Sequence, residues 1–499
     1  MSIPAILNNK KALLAFCVVG CALNYIAYYP GFMNLDSVYQ YGQVVTGKYD
    51  DWHAPILAVL WRVLDKVVRG PQLMLLFQLL CLWTSTYLLL ITINNRLWRV
   101  LIVLFTFAPV VQNFAGCIIK DTEMAFCWLL AFSIMFRAMI ADRKMNIAEA
   151  VLSFLFLTYG VWVRPNASPG SLPLCFLWVS VVTSGQSGLK KVGLTAAMLI
   201  VIVCGQWIAI NKFIKPEKRY AENKLFLQDL TGVFVKTGRD VFPQMLYRNP
   251  YFDTAYLRAQ YHPATFDHIW WNKDFSVTVI PFPGMFSKTA PKIIPNDTGL
   301  GSGNNRVGAP GEQAVSGSLA STDSLPGLAD IRQALFKAWE RTILAYPGVY
   351  LRNRFDGFLY YLRIRKRNNE FINYFIGIVP NDFGFSFHRN PISDVFVKPI
   401  VVQRSMPYMT PWFWFFLNII LLVFIPFING SAASAGYKAL TWSGIFYALP
   451  SFFVFQLDTD FRYFYWNCVA CCLAICILGV DRLTSVRINE TKVAGASAD

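Results

Sequence analysis

The sequence contains few charged residues for its length. Only 15% of its 499 residues are Asp, Glu, Lys or Arg, whereas 55% are hydrophobic and the mean hydropathy is +0.41. A single water-soluble core of this length would not bury so much apolar surface. The composition therefore excludes an ordinary soluble domain and predicts an integral membrane protein that has membrane lipids as partners.

Several motifs of other protein classes are also missing. There is no P-loop or dinucleotide glycine motif, so no nucleotide cofactor is predicted. The net charge of +16 is spread among apolar segments, so nucleic-acid binding is not predicted either. The 11 cysteines lie in apolar runs or near their ends, which argues against a disulfide framework. No Asp-x-Asp motif occurs in residues 30–70. We predict no cofactor and no metal site, with a divalent metal left open.

Ten apolar runs approach the ~20 residues that cross a bilayer as an α-helix. They lie at 12–29, 71–93, 99–116, 122–139, 147–163, 169–184, 192–211, 410–429, 439–456 and 464–480. Alternate loops between them are basic, as at Arg143-Lys144 and Lys190-Lys191. Because basic loops stay on the cytoplasmic side, both termini are predicted inside. The predicted fold class is an all-α polytopic membrane protein with about 10 transmembrane helices.

These runs divide the chain into three predicted parts. Residues 1–211 form an N-terminal membrane module with a first outer loop at 30–70. Residues 212–409 form a mixed extracytoplasmic insert, in which the Gly- and Asn-rich stretch 295–325 is predicted to be a mobile loop. Residues 410–499 supply the C-terminal membrane helices and a cytoplasmic tail. The predicted cytoplasmic loops are short and contain no histidine, so chemistry is expected on the outer side.

Polar residues cluster at the outer ends of the predicted helices. The first outer loop contains Pro-Gly, then Asp-Ser-x-x-Gln at 36–40, then Trp-His-x-Pro at 52–55. Later helices begin or end at Lys120-Asp121, Arg164-Pro165-Asn166 and Asp460-Phe461-Arg462. Each motif alone could be a helix cap or an interfacial anchor. Together they predict one polar cavity facing outward, because a charge beside hydrocarbon is costly.

The order of these motifs resembles the GT-C glycosyltransferases, which are membrane enzymes that take a sugar from a polyprenyl-phosphate carrier. The resemblance is closest to bacterial and phage-encoded O-antigen glucosyltransferases. It implies inverting transfer of a hexose such as glucose from a polyprenyl-phosphate-linked sugar donor to a lipid-linked glycan acceptor of the O-antigen type in lipopolysaccharide. It also implies a bacterial inner membrane protein whose active site faces the periplasm.

The chemistry of such a transfer suggests a role for each polar residue. The acceptor hydroxyl needs a base, and Asp36 in the first outer loop is the predicted catalytic residue. The departing phosphate needs cations. The predicted donor phosphate ligands are Lys120, Arg164 and Arg462, and the predicted acceptor-binding or orienting residues are Asp121, His53, Gln40 and Asp460.

Two other functions share the same hydrophobic pattern. A secondary transporter would also have many membrane helices, but it usually shows internal repeats and buried ionisable groups near the membrane midplane. The sequence shows no such repeat, and an outer insert as long as 212–409 is unusual for a transporter. A flippase or ligase of lipid-linked glycans would need the same basic residues. Both alternatives stay open at this point.

Overall fold

A computed structural model describes residues 9–248, 252–264, 327–366, 373–427, 432–455 and 459–496. Helices dominate these ranges, which contain no β-strand and only three isolated parallel bridges. The all-α prediction is therefore confirmed for the described residues. The predicted loop at 295–325 lies outside them.

The helices follow one another with short connections in most of the chain. In chain order they are α1 (Lys10–Tyr28), α2 (Leu35–Thr46), α3 (Ile56–Asp65), α4 (Gln72–Thr92), α5 (Arg96–Phe107), α6 (Pro109–Gln112), α7 (Lys120–Ile140), α8 (Ile147–Val163), α9 (Ser168–Val182), α10 (Gly188–Ile208), α11 (Asn223–Thr237), α12 (Thr254–Gln260), α13 (Leu328–Ala345), α14 (Pro347–Tyr361), α15 (Pro391–Val402), α16 (Pro411–Val423), α17 (Ala432–Ala448) and α18 (Tyr465–Ala496).

Local sequence fixes where several helices begin. A helix start leaves backbone N–H groups without partners, and an Asn side chain just before it can accept from them. Asn side chains do this at the starts of α1, α2, α5, α8 and α15. At α8 the cap is reciprocal, because the Glu149 side chain also accepts from the backbone N–H of Asn146.

The chain forms two compact units. The first comprises Met1–Glu217, Ile372–Phe455 and Asp460–Asp499, and the second comprises Lys218–Phe371 and Gln456–Thr459. The insert predicted at 212–409 contains residues of both units. Residues after Ile372 return to the first unit because they bond to its N-terminal part. Met33 N donates to Gly377 O at 3.0 Å, and Asn390 Nδ2 donates to Ile26 O at 3.1 Å.

The second unit is organised around α11, which contacts α13 and α14. The buried Asp229 of α11 pairs with the buried Arg354 and accepts from Trp339 Nε1 at 2.8 Å. Burial raises the pKa of Asp229 although Arg354 opposes the shift. Loss of either partner would leave a buried charge unpaired, so this pair ties the three helices together.

Five helices in the described residues are long and apolar enough to cross a membrane. They are Lys10–Tyr28, Gln72–Thr92, Lys120–Ile140, Gly188–Ile214 and Phe461–Val480. The number becomes six if α8 and the following helical residues, bent by 117° at Arg164, count as one span. Several apolar helices could thus span a membrane, as an integral membrane protein requires.

The helices at the other predicted spans are either interrupted or too short to pass the same test of length and composition. The run at 99–116 is interrupted at Ala108, because the following Pro109 lacks an N–H and pushes the residue before it into an extended conformation. α16 has 13 residues, which reach about 20 Å, less than the ~30 Å of hydrocarbon. α17 has 17 residues. The count of ten therefore remains a prediction.

α7 lies at the centre of the first unit. Most of its residues are buried, and it packs against α4, α8 and α18. Close approach to α8 depends on Gly160, since a Cβ there would lie 2.3 Å from Trp128 Nε1. α10 is the opposite case, with exposed apolar side chains such as Ile200 and Val201. An apolar face of this kind is suited to lipid.

Candidate active site

Extended backbone pairing brings the start of α2 against the start of α7. Phe32 N donates to Gly116 O at 2.7 Å, and Ile118 N donates to Phe32 O at 2.9 Å. Ser37 Oγ of α2 then donates to Ile118 O at 2.6 Å. Gly116 permits the contact, because a Cβ there would lie 2.7 Å from the Tyr28 ring. The residues that follow each segment, at 36 and 120, are thereby placed close together.

Asn34, rather than Asp36, caps α2. Asn34 Oδ1 accepts from Ser37 N at 3.0 Å, and Ser37 Oγ, whose proton goes to Ile118 O, lies 2.8 Å from Asn34 Oδ1. Asp36 is the second residue of the helix, where a negative charge interacts favourably with the helix dipole. Its side chain is left for other partners.

Asp36 contacts two positively charged or protonatable side chains. Its Oδ2 accepts from Arg462 Nη1 at 2.6 Å, and its Oδ1 lies 3.6 Å from His53 Nε2. The other ring nitrogen of His53, Nδ1, lies 3.1 Å from Lys120 Nζ. One carboxylate, one imidazole and two cations therefore form a continuous network.

A second part of the network joins it through an aromatic ring. Arg164 stands at the end of α8 and pairs with Asp121 at 2.7 Å. The guanidinium carbon of Arg164 lies 5.1 Å from the centre of the Tyr463 ring, and the guanidinium carbon of Arg462 lies 4.8 Å from the same point. Arg462 Nε also donates to Asp460 at 3.2 Å. Stacking on one ring holds the two guanidinium groups in a defined arrangement.

The three carboxylates of the network differ in accessibility. The Asp36 side chain is 24% exposed, whereas that of Asp460 is 10% exposed and that of Asp121 is fully buried. Asp36 is therefore the carboxylate that an external molecule reaches most easily. The buried Asp121 instead fixes the position of Arg164.

The surrounding charges keep Asp36 ionised. Burial opposes ionisation, but the positive charges of Arg462, His53 and Lys120 outweigh it and lower the pKa of Asp36 well below its usual range. An ionised carboxylate can accept a proton, although a low pKa makes it a weak base while the cations stay close. Movement of these cations would therefore change its basicity.

Lys120 is the cation best placed to bind a further anion. It is the first residue of α7 and is half-buried. Within the described ranges it forms no ion pair with a carboxylate, and its hydrogen bond goes to His53. Arg164 and Arg462, in contrast, already bind Asp121 and Asp36.

Seven of the eight predicted site residues belong to this network, which is built from Asp36, His53, Lys120, Asp121, Arg164, Asp460 and Arg462. The eighth, Gln40, lies one turn after Asp36 on α2. It is buried, and its Nε2 has no hydrogen-bond partner in the described part of the chain. Within the described ranges no hydrogen bond joins Gln40 Nε2 to the network.

Two further residues were missed by the sequence prediction. The Tyr463 ring contacts both guanidinium groups, and its position directly after Arg462 is the available signal. Glu123 follows Lys120 by one turn of α7 and is fully buried. Neither of its carboxylate oxygens has a hydrogen-bond partner among the described residues. Its three-residue spacing from Lys120 indicates the same helix face.

Comparison of the chain with models of known protein families, with curated proteins and with solved structures found no match. Within the residues that the structure describes, no group of three or more His, Cys, Asp or Glu side chains is placed to hold a metal ion.

Proposed function

We propose that this chain is an inverting hexosyltransferase of the GT-C type that uses a polyprenyl-phosphate-linked sugar. The observation that carries the proposal is the accessible carboxylate of Asp36, held 2.6 Å from Arg462 and next to His53 and Lys120. A base beside several cations is the combination that sugar transfer from a phosphate carrier requires.

The reaction is a displacement at the anomeric carbon of the sugar. The acceptor hydroxyl oxygen forms a bond to this carbon, and the bond between the carbon and the phosphate oxygen breaks. Asp36 takes the hydroxyl proton, and the polyprenyl phosphate leaves with the bonding electron pair. Attack from the side opposite the phosphate inverts the configuration of the sugar.

The donor phosphate and Asp36 compete for the same cation. Arg462 holds the pKa of Asp36 low in the free protein. A phosphate that binds Arg462 and Lys120 adds negative charge beside Asp36, so the carboxylate becomes a stronger base only when the donor is in place. Proton transfer is thereby linked to donor binding.

The remaining residues position the reactants. Arg164 supplies a third cation for the phosphate and is held in place by Asp121 and Tyr463. His53 lies between Asp36 and Lys120 and orients both. Asp460 orients Arg462. Gln40 is buried one turn beyond Asp36 on α2, so its role is to orient that part of the site.

The proposal includes a membrane arrangement. Ten transmembrane helices place both termini in the cytoplasm and the network at the periplasmic face of a bacterial inner membrane. The basic loops of the sequence support this orientation. The donor is then a polyprenyl-phosphate-linked hexose such as glucose, and the acceptor is a lipid-linked or surface glycan of the O-antigen type.

One observation favours the alternative of a secondary transporter. Glu123 is a fully buried ionisable residue inside an apolar helix, and its carboxylate oxygens have no hydrogen-bond partner in the described residues. Such groups often carry protons or ions in transporters. In a transporter Glu123→Gln would abolish function, whereas in a glycosyltransferase the neutral isostere would retain transfer.

The experiment that tests the proposal compares surface glycans by mass spectrometry. Bacteria carry the wild-type chain, Asp36→Asn, Asp142→Asn or no chain. Asp142 is a matched control, because it is exposed and its positive φ of 48° suits Asn. We expect added hexose with the wild type and Asp142→Asn only. Identical glycans in all four samples would contradict the proposal.

A further inference from the structure

A separate cleft of about 450 Å³ lies beside the end of α1. Its walls include Tyr25 and Tyr29 from the end of α1, Gln72 from the start of α4, and Ser386, His388 and Asn390 from the segment before α15. The volume falls in the range of roughly 300–1,000 Å³ that small-molecule sites occupy. None of these residues belongs to the charged network around Asp36.

The lining of the cleft suits an uncharged, hydroxyl-rich molecule. No Asp, Glu, Lys or Arg is among its lining residues in the described part of the chain. It therefore lacks the fixed charge that would hold a phosphate or another ion. Amide, hydroxyl and imidazole groups can both donate and accept hydrogen bonds, as sugar hydroxyls do.

Two tyrosine rings form the apolar part of the cleft. The rings of Tyr25 and Tyr29 lie 5.7 Å apart and meet edge to face, and half of the surface of Tyr29 is exposed. An aromatic face provides a flat apolar surface for the C–H face of a sugar ring. Ser386 and His388 are both exposed, and the hydrogen bond of 2.9 Å between Ser386 Oγ and His388 Nε2 leaves further hydrogen-bonding capacity on both side chains.

The segment 383–390, which forms one wall of the cleft, packs against α2, the helix that contains Asp36. The rings of Phe383 and Phe385 lie 4.9 and 5.1 Å from the ring of Tyr41 in α2. Asp36 also follows Tyr29 by only seven residues, which span at most about 25 Å when fully extended. A molecule a few sugar units long could therefore extend from the cleft toward Asp36.

We infer that this cleft binds a neutral saccharide and is the place where the acceptor glycan is held. That the bound saccharide is the acceptor rests on the proposed function. Saccharide binding itself needs no donor. The two sites differ in charge. The network with three cations binds the donor phosphate, and the uncharged cleft with two tyrosines binds the glycan.

Equilibrium binding of tritium-labelled maltotriose, mannotriose and galactotriose to the purified full chain tests the inference without any donor. We expect at least one trisaccharide to bind, with affinity about tenfold weaker in Tyr25→Ala and close to wild type in Tyr25→Phe, which keeps the ring. His388→Ala, in an exposed segment, should also weaken binding. Tyr247→Ala is the control, because Tyr247 is an exposed tyrosine of the second unit.

The outcomes separate this inference from the proposed function. Binding should be unchanged in Asp142→Asn, because the exposed Asp142 lies outside both the cleft and the charged network. Absence of binding by all three trisaccharides, or equal binding by wild type, Tyr25→Ala and His388→Ala, would overturn the inference while leaving sugar transfer to its own test. Saccharide binding without any transfer would support the cleft and reject the transferase.

Discussion

At the scale of single residues, the network around Asp36 combines groups that are far apart in sequence. Asp36 and Arg462 are separated by 426 positions, yet their side chains are in contact. The low pKa of Asp36 follows from this contact and from His53 and Lys120, which together outweigh the effect of burial. The basicity of Asp36 is therefore a property of its neighbours, and changes to them should be visible in a pH profile.

We predict that His53→Gln moves the acid limb of kcat/KM for sugar transfer to higher pH. The positive charge of a protonated His53 lowers the pKa of Asp36. Its removal raises that pKa, so Asp36 becomes protonated and inactive at a higher pH. His262→Gln, in the second unit, should leave the acid limb in place. A limb that stays fixed or moves to lower pH in His53→Gln would contradict the role of His53.

The sequence could predict which residues lie at helix ends but not how they pair. Lys120, Arg164 and Arg462 were predictable as members of one site, because each adjoins an apolar run on the same predicted side. Their partners depend on how the helices pack, as the pairing of Arg164 with Asp121 shows. The cap of α2 was locally readable, since Asn34 precedes Ser37 by three residues. The sequence alone also allows Asp36 as a cap, because an Asp side chain can accept from the N–H groups at a helix start.

At the scale of elements, the position of Asp36 depends on the pairing of Phe32 with residues 116–118. This pairing sets α2 against the start of α7 through backbone hydrogen bonds and Ser37. Space for it exists only because Gly116 has no side chain, and the nearest atoms belong to the packed rings of Tyr28 and Phe32. A small change at Gly116 should therefore affect both stability and the site.

We predict that Gly116→Ala destabilises the protein by ~1–3 kcal/mol, the usual cost of overpacking, and lowers transfer activity. Gly193→Ala is a matched control, because a Cβ there would meet no atom within 4 Å. Thermal unfolding of both purified variants in detergent measures the difference. Equal stability and activity of the two variants would show that the pairing does not position Asp36.

Element boundaries were predictable where local chemistry decides them. Pro109 interrupts the apolar run 99–116. This break is predictable from the sequence, because a proline inside a helix removes a backbone hydrogen bond. The return of residues 373–402 to the first unit was not predictable. It depends on the pairing of Met33 with Gly377 and on the contact of Asn390 with Ile26, and such long-range contacts leave no periodic signal in the sequence.

At the scale of the whole molecule, the two units have different compositions and different predicted surroundings. The first contains the apolar helices and the charged network, while the second is built around a buried Asp–Arg pair. The proposed arrangement places the second unit outside the cytoplasm and the short basic loops inside. This orientation is needed for the network to meet a donor at the periplasmic face.

We predict that a membrane-impermeant thiol reagent labels Arg341→Cys in intact spheroplasts but labels Lys144→Cys only after permeabilisation. Both positions are exposed, and they lie in the second unit and in a basic loop, respectively. Cys204→Ala provides the background, because Cys204 is the exposed native cysteine among those described. Labelling in the reverse order would invert the orientation and remove the periplasmic site.

The measurement that tests the central claim most directly is sugar transfer by purified protein from polyprenyl-phosphate-linked hexoses, at equal amounts of folded wild type, Asp36→Asn and Asp142→Asn. We predict transfer by the wild type and by Asp142→Asn. Asp36→Asn should be slower by ~10²–10⁴-fold, because the amide keeps the size of the side chain but cannot take the acceptor's proton. Wild-type rates in Asp36→Asn, or no transfer by the wild type from any such donor, would contradict the claim.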